Sequence, residues 1–391
     1  MKPKIVKPGW EKDYFFGDFW YIFEPSDGTF HLFIQCMEKG SRWVGKYSEV
    51  SRVAYAVTRD FEKINYIAYD LIESRGDRYS SIWNSCIVYR HSKKDFLTFY
   101  TERTTWDVDS DDGQKWDYWA CQEIKIAKST GLLDWHIETD LKSISPEALE
   151  NGKKKKYFRI CPHKESCTVH AWRDPHVFHA KDKYYMLVAA KKKNAAERQN
   201  ATIAMLEAED DKLEKWRLAK YHDGNSEPIM LSPTPGKFVG GNRFLGGDEL
   251  EVPQIYNDLS SNEIVVLAST AHPEDYQLTY YRGYNPWNNL PPSANVRIRG
   301  GYLIALRYKD FDSLFNKKYS PKHEIIAGPT SGLYACRVIP ELEGHIVGFD
   351  VKNGVPRLRG GAQLANLDYL TEQDRSLHII PALDRAASSA T

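Results

Sequence analysis

Residues 14–35 read Tyr14-Phe15-Phe16-Gly17-Asp18-Phe19-Trp20-Tyr21-Ile22-Phe23-Glu24-Pro25-Ser26-Asp27-Gly28-Thr29-Phe30-His31-Leu32-Phe33-Ile34-Gln35. Two aromatic and β-branched runs, Phe19 to Phe23 and Thr29 to Gln35, have strand length, and the turn signal Ser26-Asp27-Gly28 joins them. The pattern recurs at Arg52 to Val57, Cys86 to Tyr89, Phe96 to Thr101, Lys183 to Ala189 and Thr202 to Glu207. It continues at Glu263 to Ser269, Gly301 to Tyr308, Leu333 to Val338 and His345 to Phe349. Helical periodicity is scarce: Ser145 to Glu150 predicts one short helix with Pro146 in its first turn, and Asp210 to Trp216 reads as a short helix or a strand connection. Many short strands with few helices predict an all-β chain, either a series of sandwiches or a propeller. No linker rich in Pro, Gly or Ser interrupts the strands, which favours one continuous architecture over residues 1–365 with a C-terminal extension over 366–391, frayed from Arg385. No blade-signature repeat sets a blade count.

The chain has 391 residues, enough to bury a large core. Acidic and basic residues balance at 53 each, so no global field steers it onto nucleic acid or an anionic membrane. The run Lys153 to Lys156 reads as a solvated loop beside Gly152 rather than a binding patch. Cys36, Cys86 and Cys336 lie within apolar runs and are expected to be small buried hydrophobes. Cys161, His163, Cys167 and His170 invite a zinc reading, but their intervals do not match a paired C-x-x-C site. The N-terminal residues carry no apolar signal core and no segment reaches transmembrane length, so the expectation is a soluble chain with the cytoplasm as default.

Three carboxylates stand in unusual local contexts. Asp18 lies among large aromatics, where a carboxylate is costly to bury unless hydrogen-bonded or functional. Asp174 lies in Trp172-Arg173-Asp174-Pro175-His176, before the apolar pair Val177-Phe178. Glu251 sits between Leu250 and Val252 at the start of a strand-like run, with Asp248 and Glu249 reading as exposed members of the same loop. Each has an ordinary alternative: a strand-start cap, a charged turn, a solvated acidic loop. Together, three distant carboxylates at strand edges suit glycoside hydrolysis, which needs one carboxyl group as proton donor and another as nucleophile or base. P-loop and dinucleotide fingerprints, a Gly-x-Ser-x-Gly elbow and a His-Glu-x-x-His motif are all missing.

With these residues in view, the chain resembles the furanosidase superfamily of five-bladed β-propeller glycoside hydrolases, which holds the invertase/fructanase, levansucrase and arabinofuranosidase/xylosidase types. The resemblance runs in order: Asp18, then Gly28-Thr29-Phe30-His31-Leu32-Phe33-Ile34-Gln35 for the family's Gly-x-Tyr-His-Leu-Phe-Tyr-Gln strand. Ile82-Trp83-Asn84-Ser85 stands for its sugar-lining Ser-Gly-Ser stretch, Arg173-Asp174-Pro175 for its Arg-Asp-Pro motif, and Glu251-Val252-Pro253 for Glu-Cys-Pro. Two further segments, from Ala54 to Phe61 and from Gln122 to Trp135, are similar to its "A-x-S-x-D-L-x-x-W" pattern. The resemblance implies a five-bladed propeller in which Asp18 is the nucleophile, Glu251 the acid/base, and Asp174 the holder of sugar hydroxyls with Arg173 orienting the carboxylates. It further implies Gln35, Asn84 and Ser85 around the sugar, with Trp20, Trp83 and Trp172 as candidates for stacking on it, although any one tryptophan in a strand is more often core. The expected substrate is an oligosaccharide or small furanoside, a β-fructofuranoside first, cleaved with retention.

The chain departs from invertases in having Phe19-Trp20 after Asp18 in place of Pro-Asn-Gly, and in leaving no room for their C-terminal β-sandwich. An inverting arabinofuranosidase or xylosidase, with Asp18 as general base, is the neighbouring alternative, as is glycosyl transfer through the same intermediate. A non-catalytic carbohydrate- or protein-binding propeller is the rival of another class. No organic cofactor is implied. Asp107, Asp109, Asp111 and Asp112 form an acidic loop of the kind that holds a structural calcium ion in some related propellers, with a solvated turn as the plainer reading. The sequence leaves the oligomeric state open.

Overall fold

The computed structural model describes residues 3–39, 51–72, 80–107, 118–139, 141, 144–150, 171–192, 201–224, 227–233, 250–271, 301–327, 333–350 and 356–381. They form five antiparallel sheets. Blade I holds β1 (Lys4–Ile5), β2 (Tyr14–Glu24), β3 (Thr29–Glu38), β4 (Arg52–Thr58) and β5 (Asn65–Tyr69) in the order β1-β5-β4-β3-β2. Blade II is the meander β6 (Ser80–Arg90), β7 (Asp95–Asp107), β8 (Tyr118–Ser129) and β9 (His136–Ile137). Blade III is β10 (Trp172–Ala180), β11 (Lys183–Lys191), β12 (Ala201–Ala208) and β13 (Trp216–Leu218), with β14 (Met230–Leu231) on β12. Blade IV is β15 (Glu251–Asp258), β16 (Glu263–Ala271), β17 (Gly301–Tyr308) and β18 (Lys322–Ala327); blade V is β19 (Leu333–Ile339), β20 (His345–Asp350) and β21 (Pro356–Gln363). The late strand β22 (Leu367–Asp368) returns to pair with β15.

The core identifies the architecture, because the sheets pack face to face in a ring and each of five apolar clusters fills one interface. Trp20, Phe33 and Tyr55 of blade I meet Ile87, Tyr89 and Tyr100 of blade II. Val88, Leu97 and Phe99 meet Val177, Met186 and Val188 of blade III. Phe178, Leu187 and Ile203 meet Ile255, Val266 and Leu306 of blade IV. Val265, Leu267 and Leu303 meet Leu333, Val338 and Ile346 of blade V. Phe19, Leu32 and Ile34 meet Ile339 and Val347, which closes blade V on blade I. The chain is therefore an all-β, five-bladed β-propeller, and the first strand of each blade after the blade I leader (β2, β6, β10, β15, β19) lies innermost.

Smaller expectations resolve alongside. The short helix α1 (Pro146–Leu149) forms with Pro146 in its first turn, and the Ser145 hydroxyl accepts from the Ala148 N–H at 3.2 Å as N-cap. The segment from Asp210 is a strand connection, in which Asp210 Oδ1 accepts from Glu214 N at 3.0 Å before β13 begins at Trp216. Cys36, Cys86 and Cys336 are buried thiols, as their apolar surroundings predict. The Lys153 to Lys156 run and Cys161, His163, Cys167 and His170 lie outside the described residues, as do Asp109, Asp111 and Asp112; Asp107 ends β7. No helix among the described residues is long and apolar enough to cross a membrane.

The end of the ring away from the start of the inner strands is covered by residues 364–381. The Phe23 N–H donates to His378 O at 3.0 Å and Ile380 N–H to Phe23 O at 2.7 Å in blade I. Asp374, in helix α2 (Glu372–Leu377), accepts from His179 N at 3.0 Å in blade III, and Tyr369 Oη donates to Glu341 after β19 at 2.6 Å. Gly344 anchors the entry to this segment: its carbonyl accepts from Leu364 N at 2.7 Å, its φ is +71°, and a Cβ there would lie 2.1 Å from the Leu364 carbonyl oxygen. Gly344→Ala is thus expected to destabilise the protein by about 2 kcal/mol or more, because neither backbone can give way. Chemical denaturation of the variant beside the wild type measures this; an unchanged midpoint would contradict the anchoring role.

Candidate active site

Every inner strand carries one extra residue opposite its neighbour. In β2 the register passes from Phe16↔Cys36 to Phe19↔Ile34, and in β6 from Trp83↔Thr101 to Ser85↔Tyr100. The corresponding shifts lie between Arg173 and His176 in β10, Glu251 and Gln254 in β15, and Tyr334 and Arg337 in β19. Such bulges bend the strand and re-aim side chains. They fall where the local chemistry tolerates a broken ladder: Gly17 in β2, and Pro175 and Pro253, which have no N–H to lose, in β10 and β15. Asp174 (φ +56°), Val252 (φ +50°) and Ala335 (φ +47°) take the left-handed conformation at the bulges of blades III, IV and V. For a β-branched valine this is an outlier, with strain on the order of 1–3 kcal/mol.

Neighbouring blades hold these distortions by hydrogen bonds. The Asp174 N–H donates to Thr101 Oγ1 at 3.1 Å, and Val252 N–H donates to Asp174 Oδ2 at 3.0 Å. Arg173 Nη2 pairs with Glu251 Oε1 and Arg173 Nε lies 3.7 Å from Asp174 Oδ2. Cys336 N–H donates to Ser269 Oγ at 2.9 Å, and Arg337 Nε donates to the Phe19 carbonyl at 2.7 Å, next to Asp18.

Asp18, Asp174 and Glu251 thereby come together from blades I, III and IV, with the guanidinium groups of Arg173 and Arg337 beside them. Loss of hydration holds the Asp18 carboxyl well above the ordinary carboxylate range, and the Asp174 and Glu251 charges add to that, against the opposing pull of Arg337 and Arg173. Asp174, 3% exposed, is pushed up to about 6, first by burial, with Arg173 and the Val252 N–H opposing and Glu251 reinforcing. Glu251 Oε1 is taken by Arg173, whereas its Oε2 is buried with no hydrogen-bond partner among the described residues.

The other residues named from the sequence divide. Gln35 lies beside the β2 bulge, its Oε1 3.4 Å from where a Cβ on Gly17 would stand. The Trp83 ring is near two cations, 4.9 Å from Arg103 Cζ and 5.8 Å from Arg173 Cζ, and its indole N–H has no partner among the described residues. Asn84 occupies the β6 bulge itself. Trp20, Trp172 and Ser85 require correction. Trp20 and Trp172 are each 2% exposed in inter-blade clusters, the former stacked on Phe33 and the latter donating through Nε1 to Ile144 O at 2.9 Å, so neither offers a face to a sugar. Ser85 is fully buried with its hydroxyl on Thr98 Oγ1. His31 pairs with Glu24 and Tyr55, so the His-Leu-Phe-x-Gln strand brings only Gln35 to the bulge. Thr101, Gln122 and Arg337 were missed. Arg337 did carry a signal, as a cation inside the apolar run from Leu333 to Val338.

No protein-family model matches the chain, and no curated protein matches it in sequence. Solved structures do resemble it. A mutant of B. subtilis levansucrase is 11% identical with a TM-score of 0.53, the match covering 94% of this chain and 91% of that one. A protein of glycoside hydrolase family 32 from Bifidobacterium adolescentis is 10% identical with a TM-score of 0.50, over 88% of this chain and 52% of that one. The fructofuranosidase from Schwanniomyces occidentalis is 13% identical with a TM-score of 0.49, over 89% and 53%. The chain thus spans about half the length of the latter two and nearly all of the levansucrase. At such identities the likeness is one of fold: a five-bladed propeller of the levansucrase and family 32 type.

The raised carboxyl groups have a consequence for stability. The folded chain holds protons that the unfolded chain releases near pH 4, so stability falls as pH rises: through about pH 4 to 6 for Asp174, and higher for Asp18. Asp18→Asn removes its part of this fall. Its Tm is expected to exceed that of the wild type by about 2–4 °C at pH 7 and to converge with it near pH 4. A lower Tm at pH 7 would contradict the electrostatic account.

Proposed function

We propose that the protein is a glycoside hydrolase acting on a furanosidic sugar, a β-fructofuranoside first, by a retaining double displacement. The observation that carries this reading is the meeting of three carboxylates from three blades, one of them with a buried oxygen that has no hydrogen-bond partner among the described residues. In the first step Asp18 attacks the anomeric carbon while Glu251 Oε2 delivers a proton to the departing oxygen, leaving a glycosyl ester on Asp18. In the second step the Glu251 carboxylate takes a proton from water, the water oxygen bonds to the anomeric carbon, and Asp18 leaves as carboxylate. Asp174, pinned through Val252 N–H, holds sugar hydroxyls and faces the positive charge that develops on the ring. Support for a furanoside comes from the motif order and from sharing a fold with a levansucrase and a family 32 protein.

One observation favours a second reading. A carboxyl group held well above its ordinary range suits a general base for water better than a nucleophile, and would make the reaction inverting. Product anomers followed by NMR separate the two. The panel is sucrose, a fructan, and the p-nitrophenyl α-arabinofuranoside and β-xyloside. Retention on a fructoside supports the nucleophile and inversion the base. No turnover by the wild type on this panel counts against the furanosidase reading.

Two expected outcomes follow from the assigned roles. Glu251→Gln should lose about 10²–10⁴ in kcat/KM, which reports the first step, on alkyl leaving groups and far less on p-nitrophenol, which departs without a proton. Equal losses on both would remove Glu251 as the proton donor. In the wild type, kcat/KM should rise with pH along a limb displaced well above the ordinary carboxylate range, because Asp18 must ionise to act in either reading. A limb at ordinary carboxylate pH would separate Asp18 from the reaction.

A further inference from the structure

Arg173 reaches Glu251 across a blade boundary, and where it points depends on what holds its remaining nitrogens. Gln122 supplies one such hold from β8, the third strand of blade II. Its Oε1 lies 3.3 Å from Arg173 Nη1 and 3.2 Å from the Trp172 backbone nitrogen. Two donors converging on one oxygen set the orientation of the amide, since the flipped form would place N–H against N–H.

The residue is 1% exposed, and its Nε2 is buried with no partner among the described residues. A buried donor without a partner costs about 1–3 kcal/mol, and an apolar side chain would avoid it. The gain at this position is an acceptor aimed at the guanidinium. The guanidinium also meets the Trp83 ring, Asp174 Oδ2 and Glu251 Oε1, and of these four named contacts Gln122 alone brings neither charge nor ring.

We infer that Gln122 is a positioning residue for the proton donor: it directs Arg173 onto Glu251 Oε1 and so keeps Glu251 Oε2 turned toward the leaving oxygen. This rests on the acid/base role proposed above for Glu251. If Gln122 acts through Glu251, its removal should be felt in the first step, read as kcat/KM, only where the leaving group needs a proton. Loss of a merely structural residue would lower turnover of every substrate alike.

The test uses the methyl and p-nitrophenyl furanosides of the sugar turned over in the panel, with wild type, Gln122→Met, Glu251→Gln and the double variant. Gln122→Met is expected to lower kcat/KM on the methyl glycoside about 10- to 100-fold, with little change in kcat/KM on the p-nitrophenyl substrate. In the Glu251→Gln background the same substitution should add no further loss, because the two act as a unit. Should Gln122→Met fail to fold, Gln122→Asn serves, since it keeps the amide but withdraws its oxygen by one methylene; the same pattern is expected. Equal losses on both substrates, or full additivity in the double variant, would overturn the positioning role while leaving Glu251 intact as acid/base. Glu251→Gln losing equally on both substrates would overturn the acid/base reading itself, and this inference with it.

Discussion

One extra residue in each innermost strand shapes the whole mouth of the propeller. A regular strand would send alternate side chains up and down the sheet and leave the axis to whatever the pleat dictated. The bulges at Gly17-Asp18, Asn84, Asp174-Pro175, Val252-Pro253 and Ala335-Cys336 break that alternation at the same level in every blade. The ladder bonds they interrupt are replaced by bonds between blades, such as Asp174 N–H to Thr101 and Cys336 N–H to Ser269. Strain at Asp174 persists because both neighbouring blades hold it, through Thr101 and Val252, and strain at Val252 because Asp174 holds it from blade III.

The electrostatics follow from this geometry. Asp18 and Asp174 lose hydration where they meet Glu251, the three carboxylates repel one another, and two guanidinium groups offset part of that. Arg173 binds Glu251 directly, whereas Arg337 is tied to the Phe19 carbonyl and acts on Asp18 through its charge. A cluster of this kind opposes folding at neutral pH. The stability it subtracts is supplied by the five inter-blade aromatic and aliphatic clusters and by the segment that covers the opposite end. There Tyr21 and Tyr369 donate to the two oxygens of Glu341, joining blade I to the late segment.

Much of the fold was legible because the signals behind it are local. The runs Thr29 to Gln35, Thr202 to Glu207 and Gly301 to Tyr308 are strands, since aromatic and β-branched residues suit a half-buried pleat whatever surrounds them. Ser145 capping a helix opened by Pro146 is likewise a matter of adjacent residues. Trp20, Trp172 and Ser85 were misjudged for the opposite reason. A tryptophan in a strand reads the same whether its ring packs between blades or faces a ligand, and only burial against Phe33 or a bond to Ile144 tells them apart.

By itself, then, the sequence determined the strands, the turns, the choice of all-β architecture and which carboxylates were out of place. The tertiary structure decided that Asp18 stands at the second bulge position of its strand, Asp174 at the first, and Glu251 just before one, and that all three nonetheless meet. It also decided that Gln122 and Arg337, ordinary strand residues on paper, bear on them from neighbouring blades. The physical reason is that convergence on an axis depends on register shifts and on ring closure between blades far apart in the chain, and neither leaves a trace in the local pattern of side chains.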